Sequence, residues 1–176
     1  LFLQENGYTV LKRSEVLGMI TRDSQALCVA GTHGKTTTSS LLAHILNESQ
    51  FKCSAFLGGI STNFNSNFIG SNESKLTVIE ADEFDRSFLH LHPTAAAITT
   101  ADADHLDIYA DETDLTNTFA AFIQQVDGPT FSGTELKNTV PVGAAHDTAF
   151  ASNVRADQGA YSFTLHLGEC SADTKL

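Results

Sequence analysis

The sequence predicts an α/β domain: a mostly parallel sheet flanked by helices, with a β-rich antiparallel portion towards the C-terminal end. Three observations carry that prediction. Short apolar runs at 24–30, 76–79 and 94–100 have the profile of strands buried on both faces. Segments with helical spacing of apolar residues begin at Lys35 and at Glu112 and separate these runs from one another or from the C-terminal portion. Beyond Gly128 the texture shifts to short stretches broken by Gly and Pro. There 160–167 alternates, with Tyr161, Phe163, Leu165 and Leu167 on one side, as in a half-buried antiparallel hairpin strand.

In chain order, ENGYTV (5–10) reads as a turn and a strand, and RSEVLGMI (13–20) as a short helix with Ser14 near its start. SQALCVA (24–30) is an apolar strand running into Gly31. From Lys35 the period changes: Leu41, Leu42, Ile45 and Leu46 share one helical face, and the polar run 47–50 ends the helix. FKCSAFLGGI (51–60) reads as a strand running into Gly58-Gly59, and the Asn/Ser-rich stretch 61–74 as loop. Leu76 to Ile79 form a strand that closes on acids, SFLHL (87–91) a helical turn, and 94–100 a further strand. Asp111 is placed to cap a helix whose apolar face is Leu115, Phe119, Phe122, Ile123 and Val126. Glu112 and Asp114 occupy its first turn, where the helix dipole favours acids.

Composition excludes several function classes. The 176 residues suit one domain, and a chain of this size buries enough surface to fold without staples. Ten Lys and Arg against 21 Asp and Glu give a net charge of −11, which argues against a nonspecific nucleic-acid surface. Cys28, Cys53 and Cys170 are odd in number and form no CxxC, so a reducing setting is expected rather than a disulfide framework or a zinc knuckle. No apolar run approaches the roughly 20 residues of a membrane span. The chain begins with Leu1 and shows no signal-peptide pattern, so a trimmed piece of a longer product is expected.

The stretch CVAGTHGKTTTSSLLAHIL (28–46) carries the chemistry. A strand-to-helix loop rich in glycine leaves backbone N–H groups outward, and the helix N-terminus adds partial positive charge: together an anion seat. A lysine after the last glycine reaches the outer phosphates, and the next hydroxyl holds Mg²⁺. Gly31, Thr32, His33, Gly34, Lys35, Thr36 and Thr37 are therefore expected to hold a nucleotide, and the sheet to be of P-loop type. The spacing is the shorter GTxGKT form, because Val29 stands where a full GxxxxGK[ST] has its first glycine.

Metal ligands must come from other strand ends. Glu80 closes the 76–79 strand and is expected to ligate the ion together with Thr36. Asp82, Phe84 and His90 are candidate substrate contacts, while Asp82, Glu83 and Asp85 are as open to structural or substrate-orienting roles as to metal contacts. His105, flanked by acids in DADHLD (102–107), is a further candidate metal ligand, since carboxylates fix an imidazole's tautomer. Lys35, Glu80 and His105 form the expected catalytic set.

AGTHGKTTT, EADEFDRSFLHL and DADHLDIY, in this order, resemble the central ATPase domain of the Mur ligases, with FLGGISTNFNSN leaning towards the alanine-adding branch. The resemblance covers 11–126 well and 127–176 more loosely. It implies an ATP- and Mg²⁺-dependent ligase of peptidoglycan precursor synthesis in the bacterial cytoplasm. ATP would phosphorylate the carboxylate of UDP-N-acetylmuramate, and the amine of L-alanine would attack the acyl phosphate. By the same resemblance Thr36 and Glu80 hold one Mg²⁺ and His105 helps hold a second. Residues 1–22 would be the tail of a preceding UDP-binding domain, and 23–176 a central ATP-binding domain incomplete at its C-terminus. Its partners would be the N- and C-terminal domains of the same chain, without which it is expected to be inactive. Two departures stand out: 106–136 contain no lysine to be carboxylated, and Thr100 replaces a frequent asparagine. A related ligase adding another amino acid or peptide, and a non-ligating P-loop ATP-binding domain, are the alternatives.

Overall fold

The computed structural model describes residues 2–102, 109–143, 149–157, 160–167 and 169–175. Its helices are α1 (Phe2–Glu5), α2 (Arg13–Arg22), α3 (Lys35–Glu48) and α4 (Glu112–Gln124), with a 3₁₀ turn at Phe84–His90. Its strands are β1 (Gln25–Ala30), β2 (Ser54–Ser61), β3 (Ser66–Ile69), β4 (Leu76–Glu80), β5 (Ala95–Ile98), β6 (Thr130–Ser132), β7 (Val140–Gly143), β8 (Ala149–Asp157), β9 (Ala160–Leu167) and β10 (Cys170–Lys175). Among the described residues they run in the order β10-β9-β8-β7-β6-β5-β1-β4-β2-β3. From β2 through β4, β1, β5 and β6 to β7 the pairing is parallel, while β8, β9 and β10 form an antiparallel ribbon and β3 an antiparallel edge.

Each face of the parallel sheet has its own core. On one side Ala26, Cys28, Ala30 and Ile79 pack against Leu17 of α2, Phe88 of the 3₁₀ turn, and Leu115, Phe119 and Phe122 of α4. Phe88 stacks on Phe122 with ring centroids 4.7 Å apart and meets Phe119 edge-on at 5.5 Å. On the other side Ala55, Leu57 and Val78 pack with Ala43 of α3 and with Cys53. Neighbouring residues Val78 and Ile79 thus face opposite cores, as the two-residue strand period requires. The cap on α4 forms as expected, Asp111 accepting from the Asp114 amide. No helix among the described residues is long and apolar enough to cross a membrane.

Four local expectations are corrected. Residues 5–10 hold no strand: Tyr8 and Val10 are exposed and have no strand partner among the described residues, Tyr8 N–H turning back to Leu3 O at 3.0 Å, and a lone strand gains no ladder bonds. The 61–74 stretch is not all loop, because β3 pairs back on β2 and Phe68 packs on Phe56 at 5.0 Å. β2 does not stop at Gly58-Gly59 but continues to Ser61. The buried face of α3 is Ser39 and Ala43 with Leu42 and Leu46 beside them, whereas Ile45 is 56% exposed. Small residues there let the helix sit close to the sheet and bring its first turn to the strand ends.

Candidate functional site

The carboxyl ends of β1, β4 and β5 lie side by side, because β1 pairs with both others. The loop leaving β1 starts at Gly31, whose φ of 131° suits glycine, and a Cβ there would collide with Thr99 Oγ1. Gly34, at φ 78°, is the N-cap of α3 and offers no side-chain cap. The amides of Gly34, Lys35, Thr36 and Thr37 therefore head the helix without intrahelical acceptors. The two preceding amides are turned inward instead: Thr32 N–H donates to Thr100 O at 3.0 Å, and His33 N–H to Thr100 Oγ1 at 2.9 Å. Thr32 Oγ1 also lies 2.8 Å from Thr100 Oγ1, and Thr99 Oγ1 donates to the carbonyls of Ala30 and His33. The amides not taken up in this way are thus those of the first helical turn.

Glu80, 8% exposed at the end of β4, faces that turn. Its carboxylate accepts from Thr36 Oγ1 at 2.8 Å, from Gly58 N–H at 2.7 Å and from Ser39 Oγ at 3.3 Å. A Cβ at Gly58 would strike this carboxylate, which is why β2 carries glycine where it passes the site. Lys35 Nζ donates to Gly31 O at 2.7 Å and to Glu83, whose two carboxylate oxygens lie 3.0 and 2.8 Å away.

These groups line one cleft of about 570 Å³, bounded by residues 32–37, Gly58, Glu80 and 82–84. It brings together Gly34, Lys35, Thr36, Thr37, Thr32, His33, Glu80, Asp82 and Phe84. His90 is not among them: the 3₁₀ turn carries it to α2, where its carbonyl sits over Gly18. His105 lies outside the described residues. A smaller hollow of about 200 Å³ shares Glu80 and Asp82 and opens towards Lys12, Arg13 and Ser14. A larger one, about 950 Å³, lies along 132–143, and its lining includes none of the expected site residues that the structure describes.

Thr36 and Glu80 are the residues that could hold a divalent ion. Among the described residues no group of three or more His, Cys, Asp or Glu is placed to do so. Mg²⁺ suits this modest donor set, since it commonly keeps waters and takes one or two carboxylates plus phosphate oxygens.

The segment just past the lining residues 82–84 is strained. Asp85 and Arg86 both adopt left-handed backbone, at φ 52° and 54°. Arg86 bonds Asp114 at 2.7 Å and lies 5.6 Å from the Tyr109 ring centroid, while Tyr109 donates its hydroxyl to Glu83 O at 2.6 Å. Burial, with the charge of Glu83 adding to it, pushes the Tyr109 phenol up to about 12. Tyr109, Thr99, Thr100 and Gly58 were not singled out by the sequence as site residues, and for Glu83 the sequence left several roles open. Only the acid-rich run 80–85 and the paired threonines hinted at them.

Residues 29–163 match the Mur ligase middle domain. A UDP-N-acetylmuramate–L-alanine ligase of Flavobacterium psychrophilum is 52% identical over 169 residues, which is 93% of this chain and 37% of that protein. The chain therefore spans little more than a third of that relative's length. Among solved structures, the UDP-N-acetylmuramate:L-alanyl-γ-D-glutamyl-meso-diaminopimelate ligase from Neisseria meningitides superposes with a TM-score of 0.80 at 25% identity, covering 97% of this chain and 61% of that one. A UDP-N-acetylmuramate-alanine ligase from Thermotoga maritima gives 0.77 at 23% identity, covering 93% and 39%, and shows the shared fold.

Proposed function

This chain belongs to the Mur ligase family, and from that premise we propose that it is the ATP-binding part of a ligase joining L-alanine to UDP-N-acetylmuramate. The observation that carries the reading is the convergence of Lys35, Thr36 and Glu80 on the first turn of α3, in a chain half identical to a ligase named for that reaction. On this reading 1–22 link to a preceding UDP-binding domain, although α2 within them packs on the 3₁₀ turn through Leu17 and Gly18. Residues 23–176 belong to the central ATP-binding domain, and the remaining domains supply what this piece lacks.

The geometry suits phosphoryl transfer to a carboxylate. The amides of Gly34, Lys35, Thr36 and Thr37 and the Lys35 ammonium would bind the outer phosphates of ATP, aided by the helix dipole. Mg²⁺, held by Thr36 and Glu80, supplies charge neutralisation when bound. The two reactants are both anions, so fixed positive groups at the cleft matter more than any side-chain nucleophile. The substrate carboxylate would take the γ-phosphoryl group, releasing ADP. The L-alanine amine would then attack the acyl carbon, phosphate would leave, and the amine would lose a proton. Asp82 and Phe84, on the wall opposite the helix, are the proposed neighbours of the acceptor. His105 is the proposed second metal ligand.

Calorimetry with Mg·ATP tests the site. The chain is expected to bind, and Lys35→Ala to weaken binding at least about 100-fold, a loss typical of one preorganised charge contact. Equal binding by both would overturn the assignment. Phosphate release by the full-length parent, compared with L-alanine, D-glutamate or a tripeptide as acceptor, tests the specificity. A preference for either of the latter would move the protein to another branch of the family.

A further inference from the structure

We propose that Glu83 is a positioning residue that holds the Lys35 ammonium in place before and during nucleotide binding; the inference rests on the nucleotide reading of the cleft. An ammonium has three donors and no acceptor. Lys35 Nζ spends one on Gly31 O, at 2.7 Å, and one on the Glu83 carboxylate, whose oxygens straddle it at 3.0 and 2.8 Å. The third direction is left for an oxygen of the ligand, in the cleft that Lys35 and Glu83 both line. A lysine stem is otherwise loose, and a ligand would have to order it.

Glu83 is built to stay where it is. It is 1% exposed, and its own carbonyl accepts the Tyr109 hydroxyl at 2.6 Å. Two and three residues on, Asp85 and Arg86 have left-handed backbone, and Arg86 is tied to Asp114 and to the Tyr109 ring. Strain of this kind persists where the surroundings overdetermine it. A buried carboxylate that loses its cation carries a heavy desolvation penalty. Lys35 therefore keeps its hold on Glu83 when phosphate arrives, rather than swinging away from it. Glu80 and Glu83, three residues apart, have separate tasks: the first gathers the neutral donors of Thr36, Ser39 and Gly58, the second anchors the cation.

The test compares the wild-type chain with Lys35→Ala, Glu83→Gln and Glu83→Asp. Mg·ATP and AMP binding are measured by calorimetry, and circular dichroism checks the fold. Glu83→Gln keeps the volume and is expected to weaken Mg·ATP about tenfold or more while leaving AMP binding unchanged, with Glu83→Asp intermediate. In the wild-type chain the Lys35 ζ-¹⁵N cross-peak, assigned by its absence in Lys35→Ala, is expected to exchange slowly with solvent both without and with Mg·ATP. That readout decides the question if either Glu83 variant fails to fold. Glu83→Gln binding Mg·ATP as well as wild type, while Lys35→Ala does not, would overturn the inference alone, and so would exchange that accelerates to the free-lysine rate on adding Mg·ATP. A wild-type chain that binds no Mg·ATP overturns the nucleotide reading and takes this inference with it.

Discussion

The two walls of the cleft are built on different principles. Apart from Lys35, which reaches across to Glu83, one wall, residues 31–36 with Gly58 and Glu80, is mostly backbone and short side chains at the ends of strands whose flanking residues are buried. Its shape is set by contact distances: Gly31 against Thr99 and Thr100, Gly58 against Glu80. The other wall, 82–84, runs into a left-handed kink at Asp85 and Arg86, held by side chains that reach partly exposed groups at the start of α2 and on α4. Steric walls cannot relax, whereas ion pairs can exchange for water. Substitutions in the first wall should therefore be costly whatever their chemistry. Those in the second should be graded by burial.

Gly31→Ala should show the largest effect. The new methyl would collide with Thr99 Oγ1 and sit 2.7 and 2.8 Å from Thr100 backbone atoms, at a φ of 131°. Overpacking and strain together predict a loss of about 3 kcal/mol in urea unfolding. Gly7→Ala is the matched control: it has φ 78° but no heavy atom within 4 Å, so strain alone should cost about 1 kcal/mol. Equal losses at the two glycines would remove the steric account of the first wall.

Gly58→Ala comes next. Its methyl must push the Glu80 carboxylate away from Thr36 Oγ1 and from the residue 58 amide. About 1–2 kcal/mol of stability should go with the disturbed hydrogen bonds. Mg·ATP binding should suffer more than the fold does, since the pair that would hold the ion is what moves. A variant destabilised by that amount but binding Mg·ATP normally would show that the Thr36–Glu80 pair is not the metal seat.

The same contrast explains what the sequence made legible. Gly31, Gly34, Lys35 and Thr36 sit close together between a strand and a helix, so spacing together with that placement marked them as candidates. Glu80 followed from the rule that ligands gather at strand ends. The hidden contributors act across the chain: Thr100 meets Thr32 and His33, Tyr109 meets Glu83, and Gly58 meets Glu80, at separations of 22 to 68 residues. Nothing local marks such partners. The α3 face was misread for a related reason. Leucines and isoleucine suggested a stripe, but the sheet selected Ser39 and Ala43 for close approach, and Ile45 was left exposed. β3 was missed because asparagine and serine dominate its surroundings, while its ladder partner lies in β2.

Tyr109 tests how firmly the second wall is braced. Tyr109→Phe removes the bond to Glu83 O and should cost about 1 kcal/mol near neutral pH. The phenol is raised from 10 to about 12, chiefly by burial and next by Glu83. Its folded pKa lies above its unfolded one, so the neutral phenol's contribution is complete below pH 10 and is lost as pH rises through 12. Wild type should therefore lose stability more steeply than Tyr109→Phe between pH 10 and 12. Parallel curves over that window would mean that Tyr109 is not held as a buried neutral donor.

The smallest effect is expected at the outer end of the same wall. Lys12 and Asp85 are 3.4 Å apart, with side chains 74% and 67% exposed, whereas Arg86 and Asp114 meet at 2.7 Å with 47% and 27% exposed. Lys12 is also the N-cap of α2, but its contribution there is a backbone N–H given to Glu15 at 2.6 Å, which alanine retains. Lys12→Ala should therefore change stability by less than about 0.5 kcal/mol, and 1 M salt should erase even that. Arg86→Ala loses a closer ion pair and the contact with the Tyr109 ring, and should cost about 1 kcal/mol with weaker salt dependence. Urea titrations of both variants at low and high salt separate the two cases. A Lys12 effect as large as that of Arg86 would mean that the kink is anchored from α2 as firmly as from α4, and that burial does not grade this wall.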